Sequence, residues 1–447
     1  MTIDQFIQAL LDEAKKAGIE AAEIYLSSGD SFRAMCVEGQ ISNYTVNSTR
    51  GLSLRGLYQG KMGYAATEAL DEEAVGQLVQ AVKESAELTE DEDVQEIYKG
   101  DASYPQVDVY QPALDRVPEA DKLQMVLDLE KEAKALDDRI TGLAYNMIST
   151  SSHETRIVNS YGLDLSHRDN ISYAMAQAIA KEGERVVTGT GFKVTRNFDE
   201  LCAKAIAKEA VEEALFMLKA APVPSGTYRA IIDRKCMPDL LGVFADVFSA
   251  ESTQKGLSLL AGKEGEIIAS DVVTVMDDPL LPDGLNSYPF DAEGVAARPK
   301  AVIEKGKLNT LLHNLKTARK AGVQTTGNAS KAGYAGAVNV SPSNFFIVPG
   351  EKSLEELMAD MGDGLVITEV SGLHAGANAI SGDFSLIAQG YTVKNGKKDA
   401  PVEQITVAGN FYQMLKNIRA VGNDLCFPGS PVGSPSVDVG EIAVAGK

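Results

Sequence analysis

"SSHETRIVNSYG" (residues 151–162) can be read as metal chemistry or as a strand, and the choice decides the fold of the first half of the chain. His153-Glu154 is the only His-Glu pair in the sequence. In a zinc-binding helix a second histidine must follow one turn later, because ligands at that spacing converge only on a helix. Here the two candidate positions hold Ile157 and Val158. The β-branched run that follows, ending in Asn-Ser-Tyr-Gly, favours a strand entering a turn. We read the stretch as a strand and not as a site.

Working outward, "RITGLAYNMIST" and the residues from 154 to 195 alternate in the same way. Upstream, "AEIYLSS", "FRAMCVEG", "ISNYTVN", "LSLRGLY" and "KMGYAAT" are short alternating segments separated by "SSGD", "EGQ", "NSTRG" and "QGK". This is the pattern of an antiparallel meander. Helical spacing appears at the N-terminus, where Ile3, Phe6, Ile7, Leu10, Leu11 and Ala14 share a face and Thr2 with Gln5 suits a capping box. It returns at 71–88, 119–137 and 199–218. Residues 89–118 are acidic and without a period, which predicts a surface connector.

"KAAPVPSG" marks a boundary, giving an N-terminal domain at 1–222 and a C-terminal domain at 223–447. The second half opens with the strand "TYRAIIDR" and an apolar stretch, "CMPDLLGVFADVFSAE", that reads as a buried helix. Glycine-rich strand-like runs follow, "EIIASDVVTVMDD" among them, interrupted by helices at 353–361 and about 410–418. The order is not a strict βαβ alternation, so the fold class is α+β: a helix-plus-antiparallel-sheet domain and a strand-rich one.

The chain has 447 residues with 42 basic and 63 acidic side chains, a net charge of −21. Such a surface repels phosphate backbones, and the densest basic stretch (Lys316, Arg319, Lys320) is short. Direct nucleic-acid binding is therefore disfavoured. No apolar run is long enough for a membrane span, and the N-terminus lacks signal-peptide character. Cys36, Cys202, Cys236 and Cys426 are scattered, which suits a reducing, cytoplasmic compartment.

The remaining chemistry is fragmentary. His167, His313 and His374 have no ligand-spaced partners in a clear helix. "SGLHAGANAISGDFS" (371–385) gathers His374, Asn378, Ser381 and Asp383 on a glycine-rich stretch that can line a cleft or simply join two strands. "STQK" (252–255) matches S-x-x-K without its companion signals, and no phosphate loop or nucleophile elbow is present. No catalytic constellation is complete.

In the second half, "YPFDAEGV" (288–295), "LLHNLKTARKAGVQTTGNA" (311–329), "SGDFSLIAQGYTVKNGK" (381–397), "ITVAGNFYQMLKNIRAVGNDL" (405–425) and "PSVDVGEIAVAG" (435–446) resemble the TldD/PmbA family. The resemblance extends to "RIVNSYGLDLS" and the opening helix and meander. It implies two kinds of member. TldD-type chains carry HExxxH on a helix, with a late cysteine completing a zinc site. PmbA/TldE-type chains lack the motif and pair with a TldD-type chain to form a peptidase for extended or unfolded peptides. Counting back from "LAGKEGEIIASDVVTVMDD", the motif should fall at Leu241–Asp246, where the sequence reads "LGVFAD". Leu241 and Gly242 replace His and Glu, and Asp246 replaces the second His. The late segment "FPGSPVGSPS" has no cysteine.

The resemblance therefore implies a metal-free subunit of a TldD/TldE-type metallopeptidase, a dimer with a TldD-type zinc subunit or with itself. No residue of this chain is expected to be catalytic or to bind metal, zinc being expected in the partner. His313, Asn314, His374 and Asp383 are candidate peptide contacts. Two rival expectations are a homodimeric hydrolase using Ser252 and Lys255, and a non-enzymatic modulator, after the family's older description as a modulator of DNA gyrase.

Overall fold

A computed structural model of the chain describes residues 1–90, 93 and 95–447. Part of the acidic connector expected at 89–118, residues 91, 92 and 94, lies outside the described residues. Helix α1 (Ile3–Lys16) leads into strands β1 (Ala21–Val37), β2 (Gln40–Tyr58) and β3 (Lys61–Thr67) and helix α2 (Glu72–Leu88). After the connector and its single-turn helix α3 (Pro112–Asp115) come α4 (Glu119–Leu136), β4 (Ile140–Asn159), β5 (Asp164–Glu182), β6 (Arg185–Thr195) and α5 (Ala203–Met217). The six strands form one antiparallel sheet in the order β3-β2-β1-β4-β5-β6.

His153 and Glu154 lie within β4, opposite Asp169 and Arg168 of β5, so the strand reading holds. The five short strands expected upstream are, however, only three long ones. "SSGD" and "NSTRG" are not turns, because Ser27–Asp30 pair with Gly51–Ser48 in the middle of the β1–β2 ladder. Polar side chains there face solvent while the backbone stays hydrogen-bonded, so turn-prone composition loses to pairing on both sides. The true turns are Glu38-Gly39 and Gln59-Gly60, each with two positive φ angles as a two-residue hairpin loop requires.

Helices cover one face of the sheet in two groups. Thr2 caps α1 reciprocally with Gln5, and Phe6 and Leu10 pack with α2 on Ile24, Leu52 and Leu54. At the other end α4 and α5 lie on a row of alanines, Ala174, Ala176, Ala178 and Ala180, presented by every second residue of β5. Small residues let α5 approach closely. A Cβ on Gly191 of β6 would stand 2.1 Å from the Ile206 carbonyl oxygen, and one on Gly189 would stand 2.2 Å from the Ala214 nitrogen.

The second half contains β7 (Gly226–Ile232), α6 (Met237–Val243), α7 (Ala250–Gln254), β8 (Val275–Asp277), β9 (Lys300–Glu304), β10 (Lys307–Leu308) and α8 (Leu315–Ala321). It continues with β11 (Ala329–Ser330), β12 (Asn339–Val340), β13 (Phe345–Ile347), α9 (Leu354–Met361), β14 (Gly364–Ser371) and α10 (Leu373–Gly376). It ends with β15 (Asp383–Lys394), β16 (Lys397–Asn410), α11 (Phe411–Asn417), β17 (Ala420–Val421), β18 (Val432–Gly433) and β19 (Val437–Ala445). Strands β7, β14, β15, β16 and β19 close on themselves, since β16 pairs with β15 on one side and with β19 on the other. Closure at Thr406–Ala408 and Ala443–Ala445 covers part of the edge these strands would otherwise expose. A second sheet, β10-β9-β8-β13-β18, lies beside it.

Two expectations fail here. The single buried helix expected from Cys236 onward is broken into α6, a 3₁₀ turn at Ala245–Phe248 and α7. "EIIASDVVTVMDD" forms a strand only at Val275–Asp277. Among the described residues no helix is long and apolar enough to cross a membrane.

The close seat of α5 gives a test. Gly191→Ala should displace the helix and destabilise the protein by roughly 1–3 kcal/mol, read as a lower urea midpoint at unchanged slope.

Candidate functional site

The position expected for a zinc motif is occupied by packing. Leu241 is 0% exposed on α6, within the core that also holds Phe244 stacked on Phe411 at a ring separation of 4.3 Å. Gly242 faces the C-terminal glycine-rich segment, and a Cβ there would touch Val432 at 3.8 Å. Helix and late segment thus meet as a metal site on this helix would require, but Leu, Gly and Val supply no donor. Asp246 is solvent-exposed on the 3₁₀ turn. Cys426 pairs through its backbone with Ser434, and burial raises its thiol pKa. Zinc needs three protein ligands, and this donor set does not fit it. Among the described residues no three His, Cys, Asp or Glu side chains gather as metal ligands.

The Ser252–Lys255 pair is not assembled either. The Lys255 ammonium bonds the Glu251 carboxylate at 2.6 Å, one turn back, and among the described residues no hydrogen bond links it to Ser252.

Beside α6 opens a cavity of about 550 Å³ lined by Glu209, Glu213, Asp233, Lys235, Tyr391 and Asp424. Burial pushes the carboxyls of Glu213, Asp233, Asp239 and Glu369 upward. Lys398 lies over the Phe216 and Tyr391 rings at 3.9 and 4.6 Å. Glu209 and Glu213 share a face of α5, but Asp233, Lys235, Tyr391 and Asp424 come from elements far apart in the chain, so the sequence carried little signal for the cavity.

A second unforeseen cluster joins the two halves. Arg55 of β2 holds Glu23 of β1 at 3.0 Å and Glu293 of the C-terminal half at 2.9 Å, all three buried. The other Glu293 oxygen accepts the Leu315 amide at the start of α8. Beside them Lys331 donates to Ser53 at 2.8 Å and lies over the rings of Tyr25 and Tyr64. Desolvation, then the nearby Arg55 charge, lowers the Lys331 pKa to about 7. Asp291 is buried and accepts the Glu293, Val295 and Ala329 amides; burial, then Glu293, raises its pKa to about 7. A cavity of about 190 Å³ lies between the halves here, lined by Tyr25, His167, Asp169, Tyr288, Asp291 and Lys331.

The four candidate peptide contacts separate into two pairs. His313 is buried, with its carbonyl accepting from Thr325 and Asn328. Asn314 is the N-cap of α8, in a reciprocal box with Thr317. His374 is exposed on α10. Asp383 is exposed and bonds Ser381 and Asn410, both at 2.9 Å, with Asn410 and then Ser381 lowering its pKa. The loop 371–385 thus organises around Asn378, Ser381 and Asp383, while His374 stands apart. The basic stretch on α8 is already engaged: Lys316 and Lys320 meet Asp93, and Arg319 meets Glu96, so the acidic connector docks on it.

The ionic joint makes two predictions. Arg55→Ala strands two buried carboxylates and should cost about 3–5 kcal/mol in thermal or denaturant unfolding. The Lys331 pKa is lower folded than the unfolded value of about 10.4, so the unfolded chain binds more protons between those values. Lys331 therefore adds stability as pH rises from about 7 to about 10, and Lys331→Met should remove that rise from the pH–stability profile.

Three family models match in order along the chain: PmbA/TldA metallopeptidase domain 1 over residues 22–87, the central domain over 112–218 and the C-terminal domain over 225–446. The metalloprotease PmbA of Escherichia coli is 27% identical over 98% of this chain and 96% of its own length. A metalloprotease of Methanothermobacter thermautotrophicus is 28% identical over 91% and 88%. A solved structure from Thermotoga maritima, described as a candidate modulator of a DNA gyrase, superposes with a TM-score of 0.93 at 34% identity, covering 99% of this chain and 100% of that one. TldE of Thermococcus kodakarensis superposes with a TM-score of 0.90 over 99% and 100%; at 22% identity it shares the fold. With domain models in sequence along both halves and relatives aligned end to end, the chain belongs to the PmbA/TldD family.

Proposed function

We propose that this chain is the metal-free subunit of a TldD/TldE-type metallopeptidase, completing the chamber and holding extended peptide while a TldD-type subunit supplies the zinc. The observation that carries the reading is Leu241-Gly242 at the motif position, packed against Val432 where a metal site would need donors. A zinc enzyme needs its water activated by the metal and a general base. Leu241 and Gly242 supply neither, so the chain's own contribution is shape and contact. His374 and Asp383, both solvent-facing, are the peptide contacts we favour, since His313 and Asn314 are buried in the loop they organise. Four free cysteines suit a cytoplasmic setting.

The test is reconstitution with a fluorogenic unfolded peptide. The purified chain alone should be inert, and cleavage should appear on adding a TldD-type chain and vanish with a chelator. His374→Ala with Asp383→Ala should raise KM more than they lower kcat. Chelator-insensitive cleavage by the chain alone would overturn the assignment.

A further inference from the structure

Lys331 stands at the joint between the two halves without an ion pair. Its ammonium has three donors, and among the described residues its one hydrogen bond goes to the Ser53 hydroxyl at 2.8 Å. The neighbouring carboxylates are committed elsewhere. Glu23 and Glu293 hold Arg55, and Asp291 accepts the Glu293, Val295 and Ala329 amides. Arg55 lies two residues from Ser53 on β2 and on the same face, so a fixed positive charge stands beside the amine. The Tyr25 and Tyr64 rings enclose it at 4.4 and 5.0 Å. Their faces attract a cation, but burial and the Arg55 charge oppose it, and the amine is half neutral at about pH 7. Desolvation beside another cation is the environment that makes a lysine nucleophilic at neutral pH.

The amine also has space to act in. Lys331 lines the cavity of about 190 Å³ between the halves, and Asn286 is exposed at its rim. That volume equals roughly six waters at about 30 Å³ each, which suits an organic molecule of about two to four carbons. The lining is polar, with Ser330, Ser341 and Tyr288 beside the carboxyls of Asp169 and Asp291. Two carboxyls turn away an anion, and hydroxyls and carboxyls together suit a ligand that carries hydroxyl groups.

We propose that this cavity binds a small uncharged hydroxyaldehyde, which the Lys331 amine captures as an imine. The nitrogen lone pair attacks the carbonyl carbon, and the N–C bond forms as the carbonyl oxygen takes up a proton. The carbinolamine then loses that oxygen as water, which carries away both amine hydrogens as the C=N bond forms. No oxidant, reductant or further reactant is needed. Asp291 lines the same cavity with a carboxyl that burial keeps protonated up to about pH 7, so it is an acid available to the departing hydroxyl. The site rests on the joint alone and is independent of the subunit role proposed above.

The test is reductive trapping of the full chain with glycolaldehyde and cyanoborohydride, the adducts being located by peptide mass spectrometry. At pH 7 Lys331 should be labelled roughly tenfold or more ahead of the exposed lysines, whose amines are almost fully protonated there. Its rate should saturate with glycolaldehyde and should rise through about pH 7, where the other lysines follow only toward about 10.4. Lys331→Met should lose the fast adduct while keeping its unfolding midpoint at pH 7. Because the wild-type adduct is mapped to its residue, the test stands even where that variant misfolds. Propanal, similar in size but without a hydroxyl, should label Lys331 several-fold more slowly. Labelling of Lys331 no faster than the exposed lysines, a rate that never saturates, or a rise only near pH 10 would overturn the proposal.

Discussion

The two halves of this protein meet across a buried guanidinium that holds a carboxylate from each. Arg55 binds a carboxylate from its own sheet, Glu23, and one from the other half, Glu293. Removing three charges from water is costly, and the arrangement persists because each charge has a partner at hydrogen-bond distance. Glu293 passes the constraint on by accepting the amide that begins α8, and α8 in turn receives the acidic connector. This ionic joint, together with buried Arg196 donating to the Asp283 and Gly284 carbonyls, holds the N-terminal sheet against the loops of the C-terminal half. It also shapes the polar cavity at Lys331 and Asp291.

Around that joint the two halves solve the edge problem differently. The C-terminal strands close into a ring where Thr406–Ala408 of β16 meet Ala443–Ala445 of β19, which shortens the edge left to protect. The N-terminal sheet is open, and its strands outrun their neighbours, so β2 projects past β3. Small residues decide how closely helices cover this sheet, as the alanine row of β5 and the glycines of β6 show at α5.

Local signals in the sequence were legible where one physical cause dominated. The α1 face and its Thr2–Gln5 box, the strand character of residues 154–159 and the X-Gly hairpin loops each follow from short-range rules. Ser27–Asp30 and Asn47–Gly51 were misread because turn-prone residues sit inside a ladder whose partners lie far along the chain. Glu23, Arg55, Glu293 and Lys331 were invisible for the same reason: the nearest pair is separated by a strand and the farthest by most of the chain. Leu241-Gly242 could be singled out only through the resemblance, and the structure places Leu241 in the core with Phe244, and Gly242 beside Val432.

In the subunit role proposed above, the catalytic metal belongs to a TldD-type partner and not to this chain. Native mass spectrometry of a complex reconstituted with a TldD-type chain, followed by dissociation and elemental analysis of each subunit, locates the metal. Zinc should leave with the TldD-type subunit, and this chain should carry none. Stoichiometric zinc retained by this chain, lost when Asp246 and Cys426 are replaced, would contradict it.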